Sequence, residues 1–505
     1  MTFLPIVERE LRVATRRKRT FYTRWLIALV SVLVGGMALF MMLLTGVSAN
    51  QTGIAVFALL SYYLLGLCLL AGVFLAGDCL SEERREGTLG LLFLTDLKGY
   101  DIVLGKLLAV SLNAFYGLLA VFPILGISIV IGGVSGAEFW RVCLALLNSL
   151  WFSVTLALWA SARSESSSRS AALWCAGFIV LNVLLPGLES LFPALNWPFG
   201  PIVVSPITAF ACAREKYYVI APKEFWLSLA ISNLLGWLFL FGASRRVGQF
   251  TELGSSVQYA GWRQRVFKSD LFLGKRRRIR ALLEKNPVHW LLTDSSRLRV
   301  TIWAVAGIGC VVLAGYAYGG GTGGMSLVYA AKPFYFVLQI LFAMQSCRFF
   351  ADARRDGTLE LLATTPLTDS TVYYGQAAAL IQQFLWPVVA LASVEFICIT
   401  ALVVLPPEPH YGGGDVMTLL FLLPWQLLSS GAEFYAVAWF GMWLALTSKK
   451  PQSAAGWTVL FVIVLPELAL CIPSFFISLT FLLICQNKLR RDYRLVFADA
   501  EARRR

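Results

Sequence analysis

An all-α integral membrane protein is the fold class this sequence predicts: about twelve transmembrane helices in two tandem six-helix units, related by a pseudo-two-fold axis along the membrane normal, with amphipathic helices in the interface. Three observations carry that expectation. The 505 residues are 58% hydrophobic and only 14% charged, with a mean hydropathy of +0.70, far more apolar than soluble domains. The apolar residues fall into runs of about 20, the length that crosses a hydrocarbon core as a helix. A nine-residue pattern, R-R-[DE]-G-T-L-x-L-L, occurs twice, and self-similarity at a fixed period marks a repeated structural unit.

The runs place first-half spans near 25–47, 54–77, 102–132, 138–161, 170–187 and 224–243, and second-half spans near 300–318, 333–350, 373–405, 417–447, 453–470 and 471–487. Pro466 and Pro473 interrupt the final run, which reads either as one kinked helix or as two spans. Lys449 and Lys450 before it and Lys488, Arg490 and Arg491 after it favour two crossings, because basic loops stay on the cytoplasmic side. The same rule puts both termini in the cytoplasm of a multi-pass protein of the plasma (inner) membrane. On that orientation only Arg141, Arg214, Lys216, Lys223 and Lys332 of the 43 Lys and Arg residues lie outside.

The segments between spans are short. Residues 1–24 are basic, with Leu4, Val7, Leu11 and Ala14 on one helical face, the pattern of an amphipathic helix on an anionic leaflet. No secretory signal is expected there, since acids and a proline precede the first apolar run. Residues 25–243 form the first unit, 244–299 a linker with 13 basic residues, 300–487 the second unit and 488–505 a basic tail. The net charge of +14 sits almost wholly in these loops and termini, so membrane lipids are the expected partner and nucleic acid is not. Residues 188–223, rich in proline and aromatics, read as an external loop that partly enters the membrane. Ten scattered cysteines and two histidines, His289 and His410, give neither a metal-ligand spacing nor a disulfide framework.

The repeat is the most specific signal. Arg84, Arg85, Glu86, Gly87, Thr88, Leu89, Gly90, Leu91 and Leu92 align with Arg354, Arg355, Asp356, Gly357, Thr358, Leu359, Glu360, Leu361 and Leu362 at an offset of 270, identical at seven of nine positions. A second block, Ser170-Ala171-Ala172 with Trp174, matches Ser453-Ala454-Ala455 with Trp457. An even number of spans between copies returns the chain to the same side, so both units share one orientation. In each copy a span ends in a charged cluster, glycine permits a sharp redirection of the backbone, threonine suits a helix N-cap, and the leucines make a stub too short to cross. Such a stub lies in the interface, tied to two long helices, and is suited to transmit a push from a cytoplasmic partner.

The arrangement E-x-x-x-G-T-L-x-L-L-x-x-x-x-L followed by G-K, with a basic amphipathic N-terminus, a six-span unit and Asn286-Pro287-Val288-His289-Trp290 before the second unit, resembles the permease subunit of type-2 ATP-binding-cassette (ABC) transporters. The resemblance implies an export permease, a fused dimer in one chain, whose residues 81–97 and 351–367 couple to cytoplasmic ABC ATPase subunits, two of them, and move a substrate the sequence does not identify. It also implies that this chain binds no cofactor itself, with ATP and Mg on the partner. Gly90 and Asp96 in the first copy, and Gln376 where the first copy has Lys106, depart from the pattern, so the two copies are expected to differ towards their partners.

The chain is not expected to be an enzyme. The closest approach to a phosphate-binding loop, Gly99 to Lys106, has five residues between its glycines and opens a transmembrane helix, whereas the loop that cradles phosphates needs four and a following Ser or Thr. Ionisable residues at membrane depth are costly and are functional candidates. Glu395 and Glu433 are therefore candidates for a translocation path between the halves, and Glu467 is a third deep acid; Leu125 and Leu184 stand at the positions aligned with Glu395 and Glu467. A membrane scaffold that transmits force without moving a substrate, or a polytopic enzyme using Glu395 and Glu433 as acid and base, are the alternative readings.

Overall fold

The computed structural model describes residues 18–44, 46, 48–89, 98–164, 167–185, 201–252, 288–289, 296–318, 324–355, 369–404, 421, 423–447, 451–464, 466, 478–489 and 491. Every regular element among them is helical, and the chain divides into two compact units, Met1–Ser255 and Ser256–Arg505. Eight of the helices are long and apolar enough to cross a membrane, which makes this a membrane-embedded helical protein.

In the first unit, α1 (Lys18–Leu44) and α2 (Ala49–Ala71) lead into a π-helical turn (Gly72–Ala76) and a short helix α3 (Cys79–Glu86). Then come α4 (Gly99–Leu119), α5 (Phe122–Ile131), α6 (Gly136–Arg163), α7 (Ser167–Ile179) with a π turn over Val180–Leu184, α8 (Pro206–Cys212), α9 (Glu215–Tyr218) and α10 (Pro222–Glu252). The run expected as one span over 102–132 is divided at Ala120 and Val121. Pro123 lacks an N–H, and its ring crowds the carbonyl four residues back, so the chain restarts as α5 with proline in the first turn. The expected span at 224–243 is part of a longer helix that runs on to Glu252.

Helix α6 is the axis of this unit and packs against α2, α4, α7 and α10. At its N-terminal end, Ser135 caps the helix by accepting from the Glu138 amide at 3.1 Å. Close by, Arg141 pairs with Glu215, donates from Nε to the Ala213 carbonyl at 3.1 Å and stacks 4.0 Å from the Tyr218 ring. Residues 205–213, from the segment expected to be partly inserted, fold back here: Pro206, Ala209 and Phe210 are buried against α6 and α10. Residues 186–200 lie outside the described residues. At the other end of α6, twenty residues on and hence about 30 Å away at 1.5 Å per residue, Ser161 meets α3. The two ends of α6 are thus separated by about a hydrocarbon thickness.

Glycines let the helices approach closely, the usual device where lipid supplies no hydrophobic contrast. A Cβ on Gly53 would sit 1.8 Å from the Gly132 carbonyl oxygen, and one on Gly72 2.2 Å from the Ser153 carbonyl oxygen. A polar seam adds specificity. Asn148 Nδ2 donates to Ser232 Oγ at 2.6 Å, Asn233 Nδ2 to Asn148 Oδ1 at 2.9 Å, Ser228 Oγ to the Ser205 carbonyl at 2.9 Å and Ser205 Oγ to Asn182 Oδ1 at 2.8 Å.

The second unit contains α11 (Ser296–Tyr318), α12 (Gly324–Arg355), α13 (Asp369–Val404), α14 (Leu423–Thr447) and α15 (Pro451–Val459) with a π turn over Leu460–Val464, followed by a helix over 478–489. Helix α12 is the most buried of its long spans, with 83% of its apolar stretch inside the unit, and packs on α11, α13, α14 and α15. Helix α14 has the length of a span at 25 residues, yet carries Gln426, Glu433, Tyr435 and several tryptophans, which lower its hydropathy. Here the glycine stands on the other partner: a Cβ on Gly441 of α14 would sit 2.3 Å from Ser346 Oγ of α12.

Of the expected amphipathic segment over 1–24, residues 18–24 open the long helix α1 and 1–17 lie outside the described residues, as do the linker residues 253–287, Glu467 and the tail beyond 491.

Candidate functional site

The first copy of the repeated signature sits at the far end of the helical path from α2 to α3. Why that path breaks follows from its residues. Gly72 admits the α6 backbone, and the wider π turn alters the carbonyl pairing, so that Ser153 Oγ of α6 donates to the Leu69 carbonyl. Trp174 Nε1 from α7 donates to the Ser153 carbonyl at 3.3 Å, fixing the same spot. Gly77 and Asp78 then make a turn, and α3 starts at Cys79.

A helix start leaves amides without intrahelical acceptors. Asp78 is the N-cap residue of α3, but its carboxylate makes no cap. It pairs instead with Arg85 at 2.8 Å and accepts from Ser81 Oγ. The exposed amides are capped from another helix: Leu80 N and Ser81 N both donate to Ser161 Oγ of α6, each at 3.1 Å. One turn further on, Glu83 Oε1 lies 2.6 Å from Lys106 Nζ of α4, with side-chain exposures of 16% and 12%. A charge pair this sheltered from water is weakly screened.

Gly87 ends α3 in the left-handed conformation, φ +72°, donating its N–H to the Arg84 carbonyl at 3.3 Å. This is the redirection expected of the glycine, and a β-carbon there would be strained. Thr88 Oγ1 donates back to the Glu83 carbonyl at 3.2 Å, Leu89 is buried, and Arg84 and Arg85 lie in the last turn of α3. The amides that Thr88 is expected to cap, together with Leu91 and Leu92, lie outside the described residues. Helix α4 then opens with the Lys98 amide donating to Asp101 Oδ2 at 3.1 Å.

In the second copy the described residues end at Arg355, so Asp356, Gly357, Thr358, Leu359, Glu360, Leu361 and Leu362 lie outside them. What precedes is a single helix, α12, running 32 residues without a break. At the positions aligned with Gly72, Gly77 and Asp78 stand Phe342, Cys347 and Arg348. Arg348 pairs with Asp352 one turn along the same helix at 3.2 Å, and Arg354 donates to the Leu446 carbonyl at the end of α14. Glu83 aligns with Ala353 and Lys106 with Gln376; Gln376 Nε2 donates to the Ser346 carbonyl at 2.6 Å.

The two deep acids are brought into one seam among α12, α13 and α14. Glu395 is fully buried; its Oε2 accepts from Tyr335 Oη at 2.9 Å and its Oε1 from Gln426 Nε2 at 3.2 Å. Glu433 is 5% exposed and accepts from Gln339 Nε2 at 2.8 Å. Tyr335 and Gln339 are one turn apart on α12, and Gln426 and Glu433 two turns apart on α14, so the acids follow one another along a shared face. These partners all belong to the second unit. Leu125, the residue aligned with Glu395, is fully buried in α5.

Sequence reasoning missed Ser161, Ser153 and the Glu83–Lys106 contact. The signal for the last was present: at the constant offset of 270 both members are lost together. No protein-family model matches the chain, and no curated protein matches it significantly in sequence.

Proposed function

We propose that this chain is the permease component of an ATP-driven transporter, with two six-span units in tandem, twelve spans in all, and both termini on the cytoplasmic side of the plasma (inner) membrane. The elbows at Arg84–Leu92 and Arg354–Leu362 are its docking elements for two separate ATPase subunits, which hold the ATP and Mg. The observation that carries this reading is the elbow itself. It is a charged short helix ended by a left-handed glycine, bonded to α4 and α6 of its bundle, and placed about a membrane thickness from the Arg141–Glu215 cluster.

A charged element bonded to two long spans transmits displacement, because packed helices move as bodies and not as soft springs. On this reading Glu395 and Glu433 line the moving interior of the second unit. Their neutral hydrogen-bond partners can exchange as the helices shift.

The test is co-purification of the full chain with its candidate ATPase, repeated after alanine replacement of Arg84 to Glu86 together with Arg354 to Asp356. The reading predicts loss of association and of permease-stimulated hydrolysis. Undiminished association in the combined variant removes it. Substrate-dependent hydrolysis in reconstituted vesicles separates a transporter from a force-transmitting scaffold.

A further inference from the structure

We propose that the two elbows are entered differently: the first by a hinged lever whose position is set by the Glu83–Lys106 ion pair and the Ser161 cap, and the second by a rigid helix, α12, that runs unbroken to Arg355. The proposal deepens the docking reading above and rests on it for its functional meaning.

The hinge is argued from the break between α2 and α3. A π turn over Gly72–Ala76 and the turn at Gly77 and Asp78 interrupt the helix, so α3 is not held in line by the continuous hydrogen-bond ladder that a helix interior provides. Its position is held from the side. Ser161 of α6 takes two of its first amides, Lys106 of α4 takes Glu83, and Asp78 ties the turn to Arg85 at the last turn of α3. All of these are polar contacts with few atoms. They are local contacts that a partner's charged groups can replace one for one, with Leu80 buried beside them.

The second elbow has none of the residues for such a hinge at the aligned positions. Phe342 cannot admit the neighbouring backbone as Gly72 does, Cys347 and Arg348 replace the turn-forming Gly77 and Asp78, and α12 continues through them to Arg355. Changing only Lys106 or only Glu83 would break a sheltered ion pair, which is unfavourable. The repeat replaces both, with Gln376 and Ala353, as expected if the pair serves the hinge and has no purpose where the helix is continuous. Gln376 turns instead to the Ser346 carbonyl inside its own unit.

In a transporter driven by two ATPases, this makes the first elbow the one whose angle responds to its partner, while the second carries displacement straight into the most buried helix of its unit. Glu83, Lys106 and Ser161 are then positioning residues for the first elbow.

Amide hydrogen exchange on the full chain in lipid nanodiscs, without any ATPase, reads the hinge directly. Amides of 79–86 should exchange faster than those of 345–355 in the unaltered protein. S161A, E83K and K106E should each accelerate 79–86 by roughly tenfold, as expected for loss of one or two structural hydrogen bonds, and leave 345–355 unmoved. The reversed pair E83K/K106E should restore slow exchange. Equal protection of the two segments, or a reversed pair that exchanges as fast as its single variants while S161A has no effect, overturns the proposal. Failure of the docking reading would appear separately, as undiminished ATPase co-purification after alanine replacement of Arg84 to Glu86 and Arg354 to Asp356, and would not alter these exchange rates.

Discussion

Tyr335 donates its hydroxyl to Glu395 across 2.9 Å, joining α12 to α13 inside the second unit. Gln426 from α14 meets the other carboxylate oxygen at 3.2 Å, so this one acid holds three helices together. Measured interhelical hydrogen bonds in membranes are worth about 0.6 kcal/mol on average and up to about 1.7 kcal/mol. E395A strands both donors and should lower stability by about 1–2 kcal/mol on that scale. E395Q keeps one acceptor oxygen and should cost less than half as much. Thermal unfolding in a single detergent checks the order E395A, Y335F, E395Q, and equal melting of E395A and the unaltered protein contradicts it.

If Glu395 and Glu433 serve transport through their charge, E395Q and E433Q should fold and dock normally yet lose substrate movement in reconstituted vesicles. Unaltered transport by the pair would confine both acids to a structural role, which their neutral hydrogen-bond partners also permit.

Two glycines of α2 offer a controlled comparison. A β-carbon at Gly53 would lie 1.8 Å from a backbone oxygen, whereas one at Gly66 meets nothing within 4 Å. G53A should therefore destabilise by about 1–3 kcal/mol, the usual cost of overpacking, or force α2 away from Gly132. G66A should be neutral, or stabilise by up to about 1 kcal/mol through reduced freedom of the unfolded chain. Melting temperatures of the two variants decide the matter.

The Asn148 seam predicts a smaller effect. Asn148 gives one hydrogen bond to Ser232 and accepts another from Asn233, so N148L should leave two polar groups of α10 without those partners and cost about 1–2 kcal/mol. N148S, which keeps a hydroxyl that both donates and accepts, should recover part of the loss in the same unfolding assay.

Sidedness can be tested at the two ends of α6. Arg84 and Lys216 lie near opposite ends of that helix, and the orientation inferred from basic loops puts Arg84 in the cytoplasm. With the native cysteines replaced, R84C should react with an impermeant thiol reagent only in inside-out vesicles, and K216C only in right-side-out ones. Labelling of both from one side contradicts the arrangement.

Composition and periodicity were enough to establish a helical membrane protein, because the need to satisfy every backbone group in lipid leaves few alternatives to long apolar helices. The runs at 138–161 and 333–350 fall inside observed helices for that reason, and Gly87 adopts its left-handed turn because the local residue demands it. Local pattern could not show that α4 and α5 part at Pro123 while α12 and α13 carry Pro333 and Pro387 without a break; that outcome depends on what neighbouring helices supply. Nor could it show that Ser161, some eighty residues away, caps α3, or that Glu395 is held by Tyr335 and Gln426. The repeated nine residues are legible in the sequence alone. What precedes them is a tertiary fact: the first copy follows a π turn where Gly72 meets Ser153, and the second follows a continuous helix in which Phe342 stands at the aligned position.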